Sequence, residues 1–319
     1  MRVGIAGYGN LGRSLERLIG EVKELELVGV FTRRDSISTL GALAYPVGEL
    51  YSEKWDLDVL FLCYGSSRDL PRLAPELARM YNTVDTFDNH SAISEYKLAM
   101  DRASRYGDNV SVISLGWDPG FLSLIRMYSH AFMPSASVNT FWGRGVSQGH
   151  SEALRKIDGV KRAIQYTVPR EDALTLASLV SHPLSDTERH RRVCYVVADK
   201  ERESDITEAI LSMDGYFSGY HTEIHFIGEE EFCRYHTSLS HRGRVYALGS
   251  SGKYKEVKHS LYLDLDIGSN PDFTASIMLA GARAAARIKK NGGRGAYTPF
   301  DIPPSYFEHL TSENVNKYL

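Results

Sequence analysis

The hexapeptide Gly7-Tyr8-Gly9-Asn10-Leu11-Gly12 constrains the fold of this chain more than any other feature. An apolar, β-rich run at residues 2–6 precedes it. Leu15, Leu18, Ile19 and Val22 follow at i, i+3, i+4, i+7, the spacing of one helix face. A GxGxxG between a strand and a helix is the fingerprint of a dinucleotide-binding βαβ unit. Its first glycine makes the tight turn, its second lets backbone approach a pyrophosphate, and its third lets helix pack on strand. The helix N-terminus then offers positive potential to the phosphates. Gly7, Tyr8, Gly9, Asn10, Leu11 and Gly12 are therefore expected to contact a dinucleotide.

The alternation continues along the chain. Strands are expected at residues 25–31, 58–64, 83–87 and 110–115, helices near 73–81 and 94–106, and irregular chain over 35–57. This order means βαβ units and a parallel, doubly wound sheet. After about residue 120 the character changes. Runs rich in β-branched and aromatic residues at 138–142, 165–168, 193–197, 222–227, 244–247 and 257–265 read as an antiparallel sheet with inserted helices. An Ala-rich helix at 274–290 follows, with Asp272 as a candidate N-cap. The expected class is α/β: an N-terminal doubly wound Rossmann domain over 1–120, completed by 270–319, and an α+β domain over 121–269 with a mixed or antiparallel sheet.

Composition excludes several classes of function. With 37 Lys+Arg against 40 Asp+Glu the net charge is −3, which argues against bulk nucleic-acid binding. Cys63, Cys194 and Cys233 are odd in number and far apart, which argues against a disulfide framework and for a reducing cytoplasm. No apolar run approaches the ~20 residues that span a bilayer, and Met1-Arg2 leads into a strand with no signal-peptide pattern, so no membrane association is expected. His221, Glu223 and His225 share one face of a strand and read as an exposed set, so no metal is expected.

The end of the second strand selects the cofactor. NAD enzymes place a carboxylate there for the ribose 2′-hydroxyl. Here Thr32-Arg33-Arg34 offers a hydroxyl and two guanidiniums, which attract a 2′-phosphate, so NADP is expected; Asp35 tempers that preference. Ligands of such sheets lie outside the carboxyl ends of the strands. Those ends carry Tyr64-Gly65-Ser66-Ser67 and Thr86-Phe87-Asp88, assigned to the cofactor, and Gly116-Trp117-Asp118-Pro119-Gly120. Asp88 and Asp118 sit at equivalent positions on two strands. A carboxylate pair near a nicotinamide suits an ammonium group, which it can hold and from which it can take a proton. The same positions suit helix or turn caps, and spacing alone leaves both readings open.

Several segments together resemble the meso-diaminopimelate dehydrogenase family. They are the N-terminal fingerprint continuing into Arg13, Val30-Phe31-Thr32-Arg33-Arg34, Leu60 to Ser66, Val84 to His90 and Gly116 to Gly120. Thr140 to Gly143, Ser147 to Ser151, Gln165-Tyr166-Thr167 and Asn270 to Thr274 carry the resemblance further. It spans residues 2 to about 300. It implies an NADP-dependent, reversible oxidative deamination of the D-centre of meso-2,6-diaminopimelate to L-2-amino-6-oxopimelate and ammonia. By that resemblance, Asp88 and Asp118 lie near the reacting amine and serve as the catalytic pair. Trp117 and Trp142 shape the pocket, and Gln148-Gly149 form a backbone-contact loop. Thr167, Arg192, His241 and Asn270 hold the distal amino-acid end. The resemblance also implies that residues 121–269 bind substrate and dimerise, in a homodimer. Arg191 and Arg192 both remain open as the distal anchor. Two other readings stay open: a related D-amino acid dehydrogenase of broader range, and a non-catalytic NADP-binding sensor.

Overall fold

The computed structural model describes residues 1–52, 55–308 and 314–319. Its strands are, in chain order, β1 (Arg2–Ala6), β2 (Glu26–Thr32), β3 (Ala44–Pro46), β4 (Val59–Leu62), β5 (Thr83–Asp85), β6 (Val110–Val112), β7 (Ser137–Trp142), β8 (Gly145–Val146), β9 (Val160–Pro169), β10 (His190–Ala198), β11 (Thr222–Phe226), β12 (His241–Ser251), β13 (Val257–Ile267) and β14 (Gly295–Tyr297). The chain divides into two compact units, Met1–Leu124 with Pro271–Leu319, and Ile125–Asn270.

The first unit is built on a seven-stranded sheet in the order β14-β6-β5-β4-β1-β2-β3. Every neighbouring pair is parallel. Strands buried on both faces lose their alternation. Accordingly all four residues of β4 are buried, and each such side chain contributes about 1.5–3 kcal/mol. The helix Asn270–Lys290 lays Ala275, Met278, Ala282 and Ala285 into the same core as Val3, Ile5 and Val84. Strand order reverses between β1 and β4, and ligands of open α/β sheets bind at such a reversal.

Local readings differ in four places. Residues 35–57 contain β3, which pairs with β2 at the sheet edge, where Pro46 costs no ladder bond. The helix expected at 73–81 is Asp69–Ala78, because Leu70, Ala74 and Leu77 form its buried face; Pro75 lies inside it. Helix Asn270–Lys290 begins earlier than expected. Asp272 is therefore in its first turn rather than at its cap, and accepts from Ser14 Oγ at 2.5 Å and from Arg17. The fifth and sixth strands stop at Asp85 and Val112, where the Asp85 side chain captures backbone donors that a longer ladder would use.

The second unit holds two sheets where one was expected. β11-β10-β9-β8 is mixed, with β10 and β11 parallel, and β13-β12-β7 is antiparallel. The chain changes sheets between Trp142, which pairs with Gly243, and Gly145, which pairs with Thr167. Along β12, His241, Gly243, Val245 and Ala247 are buried while their neighbours are partly exposed, the period-2 signature of a half-covered sheet. No helix among the described residues is long and apolar enough to cross a membrane.

Candidate active site

The fingerprint turn is shaped for a pyrophosphate. Gly7 has φ +95°, and a Cβ on Gly12 would lie 2.4 Å from the Gly7 carbonyl oxygen, so helix and strand close to a distance only glycine permits. Gly9 faces open space. It precedes the helix Asn10–Gly20 without a side-chain cap, so first-turn N–H groups around Asn10 and Leu11 are available to an anion. Tyr8 is buried. Its hydroxyl bonds Glu16, and its carbonyl accepts from Arg34 Nη1 at 3.3 Å. Burial and the Glu16 carboxylate push the Tyr8 phenol up to about 12. Glu16 also accepts from the N–H groups of Leu40 at 2.8 Å and Ala42 at 2.9 Å, so one buried carboxylate ties the loop after β2 to the fingerprint. Sequence reading misses Glu16, because Leu40 and Ala42 lie 24 and 26 residues away.

A cavity of about 460 Å³ lies at the end of β2, lined by Thr32, Arg33, Arg34, Asp35, Tyr45 and Pro46 among others. Thr32 Oγ1 accepts from the Arg34 N–H at 3.2 Å. Arg33 makes a two-point bridge to Asp69, at 2.6 and 3.2 Å, so a 2′-phosphate would compete with that carboxylate for it. The Tyr64 hydroxyl is buried without a partner among the described residues, and burial raises its pKa. A phosphate or ribose oxygen of a dinucleotide would satisfy it, and the donor set as a whole fits NADP. Gly65 and Ser67 are exposed and Thr86 is half-buried. Ser66 Oγ accepts from the Asp88 N–H at 3.1 Å, and buried Phe87 stacks on Tyr96 at 4.0 Å.

Asp88 is exposed, one residue before Asn89, the N-cap of the turn His90–Ala92; it is therefore not that turn's cap. Asp118 is half-buried beside buried Trp117. Their loop is braced from within: the Gly116 N–H donates to Pro119 O at 2.8 Å and the Phe121 N–H to Gly116 O at 2.9 Å. Ser123 Oγ donates to Asp118 Oδ1 at 3.4 Å. Gly120 has φ +130°, and a Cβ there would fall 1.9 Å from Gly116 O.

In the second unit, β9 and β10 bring Thr167 and Arg192 into register. Arg192 Nη1 donates to Thr167 Oγ1 at 2.7 Å, and the guanidinium lies 4.0 Å over the Tyr220 ring. Arg192 is 9% exposed, and Gln165, 3.4 Å from Thr167, is fully buried. Arg192 Nε, Gln165 Oε1 and His150 Nε2 are buried without hydrogen-bond partners among the described residues. Each unpaired group costs about 1–3 kcal/mol, which a polar ligand would recover. Burial and Arg192 push the His150 imidazole down to about 4. Arg191 points the other way and pairs with Glu223 on β11.

The Trp142 backbone N–H donates to His190 Nε2 at 2.9 Å, and the indole stacks on that ring at 5.2 Å. Burial pushes His190 down to about 3, so it stays a neutral acceptor. His190 is a second residue that sequence reading misses. The His241 ring fills the space that a side chain on Gly145 would take, and its Nδ1 accepts from the Arg242 N–H at 2.9 Å. Gln148 opens the helix Gln148–Arg155, with its side chain outside the described residues; Gly149 follows, exposed. The Asn270 N–H donates to Leu239 O at 3.0 Å. Asp88, Trp117 and Asp118 thus belong to the unit carrying the glycine fingerprint, and Trp142, Gln148, Gly149, Thr167, Arg192, His241 and Asn270 to the other.

The family model "Diaminopimelic acid dehydrogenase C-terminal domain" matches residues 116–269. The meso-diaminopimelate D-dehydrogenase of Acetivibrio thermocellus is 44% identical, covering 100% of this chain and 97% of that protein. The protein of that name from Corynebacterium glutamicum is 43% identical, covering 100% and 98%. Among solved structures, C. glutamicum DAP dehydrogenase in complex with DAP superposes with a TM-score of 0.94 at 41% identity, covering 99% of this chain and 98% of that one. An engineered D-amino acid dehydrogenase bound to NADP+ gives 0.89 at 40% identity, covering 99% and 98%.

Proposed function

The chain belongs to the meso-diaminopimelate D-dehydrogenase family, and from that premise we propose that it is an NADP-dependent oxidoreductase acting on a CH–NH2 group. It converts the D-centre of meso-2,6-diaminopimelate reversibly to L-2-amino-6-oxopimelate and ammonia, a step of diaminopimelate and lysine biosynthesis. One observation carries the substrate reading: a buried arginine, Arg192, held by Thr167 and Tyr220 among buried polar atoms that lack hydrogen-bond partners among the described residues. Such a group binds a carboxylate by two parallel N–H bonds, and the substrate named for the family's members ends in an amino acid.

The proposed roles follow from charge. The unit Met1–Leu124 with Pro271–Leu319 acts as the dinucleotide domain, and Ile125–Asn270 as the substrate-binding and dimerisation domain. When bound, the nicotinamide takes up the hydride from the amine-bearing carbon. Asp88 and Asp118 hold the ammonium and receive the proton it must lose before hydride leaves. Water then hydrolyses the imine. Trp117 and Trp142 supply apolar walls that exclude other water. Arg192, Thr167, His241, Asn270, Gln148 and Gly149 hold the distal end, so that only one of two chemically similar centres is presented. Arg33, Arg34 and Thr32 take the 2′-phosphate, and Gly7 to Gly12, Tyr64 to Ser67 and Thr86 to Asp88 take the rest of the cofactor. The protein works as a cytoplasmic homodimer; exposed Val257 and Leu261, on one face of the edge strand β13, support a self-association face, and free cysteines support a reducing compartment.

A second reading, a D-amino acid dehydrogenase of broad range, draws on the 40% identity to the engineered enzyme. One assay separates the two: NADP reduction at alkaline pH with meso-diaminopimelate, its LL isomer and simple D-amino acids. Turnover with the meso isomer far above the others supports the proposal. Equal turnover with simple D-amino acids supports the second reading, and turnover with none of them overturns both.

A further inference from the structure

Asp88 and Asp118 stand on two separate loops, residues 86–88 after β5 and 113–118 after β6. One side chain joins those loops. Asp85, the last residue of β5, is 0% exposed, yet its carboxylate has three donors. The Phe87 N–H reaches Oδ1 at 2.9 Å and the Ser114 N–H reaches the same oxygen at 3.1 Å. Tyr96 Oη–H reaches Oδ2 at 2.7 Å. The Leu115 N–H donates to the Asp85 carbonyl at 3.0 Å, so both the side chain and the backbone of Asp85 grip the loop after β6. Ser114 has φ +54°, a conformation that L residues keep only where the surroundings impose it. Tyr96 in turn stacks on Phe87.

An ionised carboxylate in a fully buried position is costly unless hydrogen-bonded, and an apolar or smaller residue here would leave backbone donors unpaired. We propose that Asp85 is a positioning residue: it acts as a strut that sets the spacing of Asp88 and Asp118 by holding the two loops to one oxygen. Phe87 is one residue from Asp88 and Ser114 four from Asp118, so a change at the strut passes directly to both. The inference rests on the dehydrogenase reading above.

The test compares Asp85→Asn, Asp85→Ser and Asp85→Ala. Asparagine keeps an oxygen for both N–H groups and turns its amide toward Tyr96 Oη. Serine can still reach the Phe87 N–H, two residues on, but is too short for Ser114. Each variant is assayed for kcat, for KM, and for the primary deuterium isotope effect with substrate labelled at the D-carbon, with NADPH-binding sites counted for normalisation. The strut predicts that Asp85→Asn keeps kcat within about threefold, while Asp85→Ser and Asp85→Ala lose about 30-fold or more with an increased isotope effect, the scale of a misplaced reacting group. A purely structural role would lower the number of binding sites and leave kcat per site and the isotope effect unchanged. Asp85→Ser as active as Asp85→Asn, or Asp85→Asn as impaired as Asp85→Ser, overturns the proposal. Should Asp85→Ala fail to fold, the Asn–Ser comparison decides alone. The unsubstituted chain run beside them separates the two failures, since its inactivity refutes the reaction and not the strut.

Discussion

Arg33 and Arg34 differ in what holds them, and that difference governs how each can serve a phosphate. Arg34 leans on the Tyr8 carbonyl and borders the cavity at the end of β2, whereas Arg33 is bridged to Asp69. Replacing Arg34 by Ala should raise the KM for NADP about tenfold or more and that for NAD much less, since a charge-assisted bond is worth about 1.5–3 kcal/mol. Asp69→Asn should lower the KM for NADP by releasing Arg33. Steady-state kinetics with both cofactors checks this; equal changes for NADP and NAD would remove both arginines from the 2′-phosphate. His190 makes a prediction of the opposite kind, about stability. Its folded pKa, about 3, lies below the usual 6.5, so below pH 6.5 the unfolded chain takes a proton that the folded chain refuses. The stability tied to its neutral form is present above that pH and is lost as pH falls toward 3. His150 acts with the same sign, and Asp85, raised by burial to about 6, with the opposite sign over a narrower window. His190→Gln should flatten the fall of Tm between pH 6.5 and 4; an unchanged slope would deny its role.

At the scale of elements, the chain places its chemistry where strands stop. The turn after β1, the loop after β4 and the loops after β5 and β6 all follow the carboxyl ends of parallel strands, and these candidates are legible because each is contiguous in sequence and follows an apolar run. The loop Gly116–Gly120 is the tightest of them. Gly120→Ala sets a Cβ against Gly116 O in a backbone conformation that L residues avoid, which should cost about 3 kcal/mol or more. Thermal unfolding should show a clear drop in Tm, with kcat reduced at temperatures where the variant stays folded; an unchanged Tm would contradict this account of the loop. Other elements escape a reading from pattern alone. β3 is three residues without alternation, ending in proline. The switch between sheets at Gly143 interrupts a run that otherwise reads as continuous β-structure, and helix Asp69–Ala78 carries a proline that ordinarily argues for a boundary.

At the scale of the whole chain, what stays illegible is partnership across long separations. Glu16 is an ordinary helix residue until Leu40 and Ala42 donate to it, and Asp85 looks like a strand end until Ser114 does. Thr167 and Arg192 are 25 residues apart and meet only through the register of β9 and β10. The parallel architecture and the glycine turn are legible because they rest on local periodicity and on one backbone geometry. A net charge of −3 says nothing of two carboxylates at strand ends in one unit or of a buried guanidinium in the other. On the function proposed above, the D-centre of a two-headed amino acid is the one that gives up hydride. The most direct test follows the label from meso-diaminopimelate deuterated at the D-carbon alone, in a single turnover with NADP. The account predicts deuterium in the reduced cofactor, a primary isotope effect on its formation, and L-2-amino-6-oxopimelate as product. Unlabelled reduced cofactor, with the deuterium retained in the product, would contradict it.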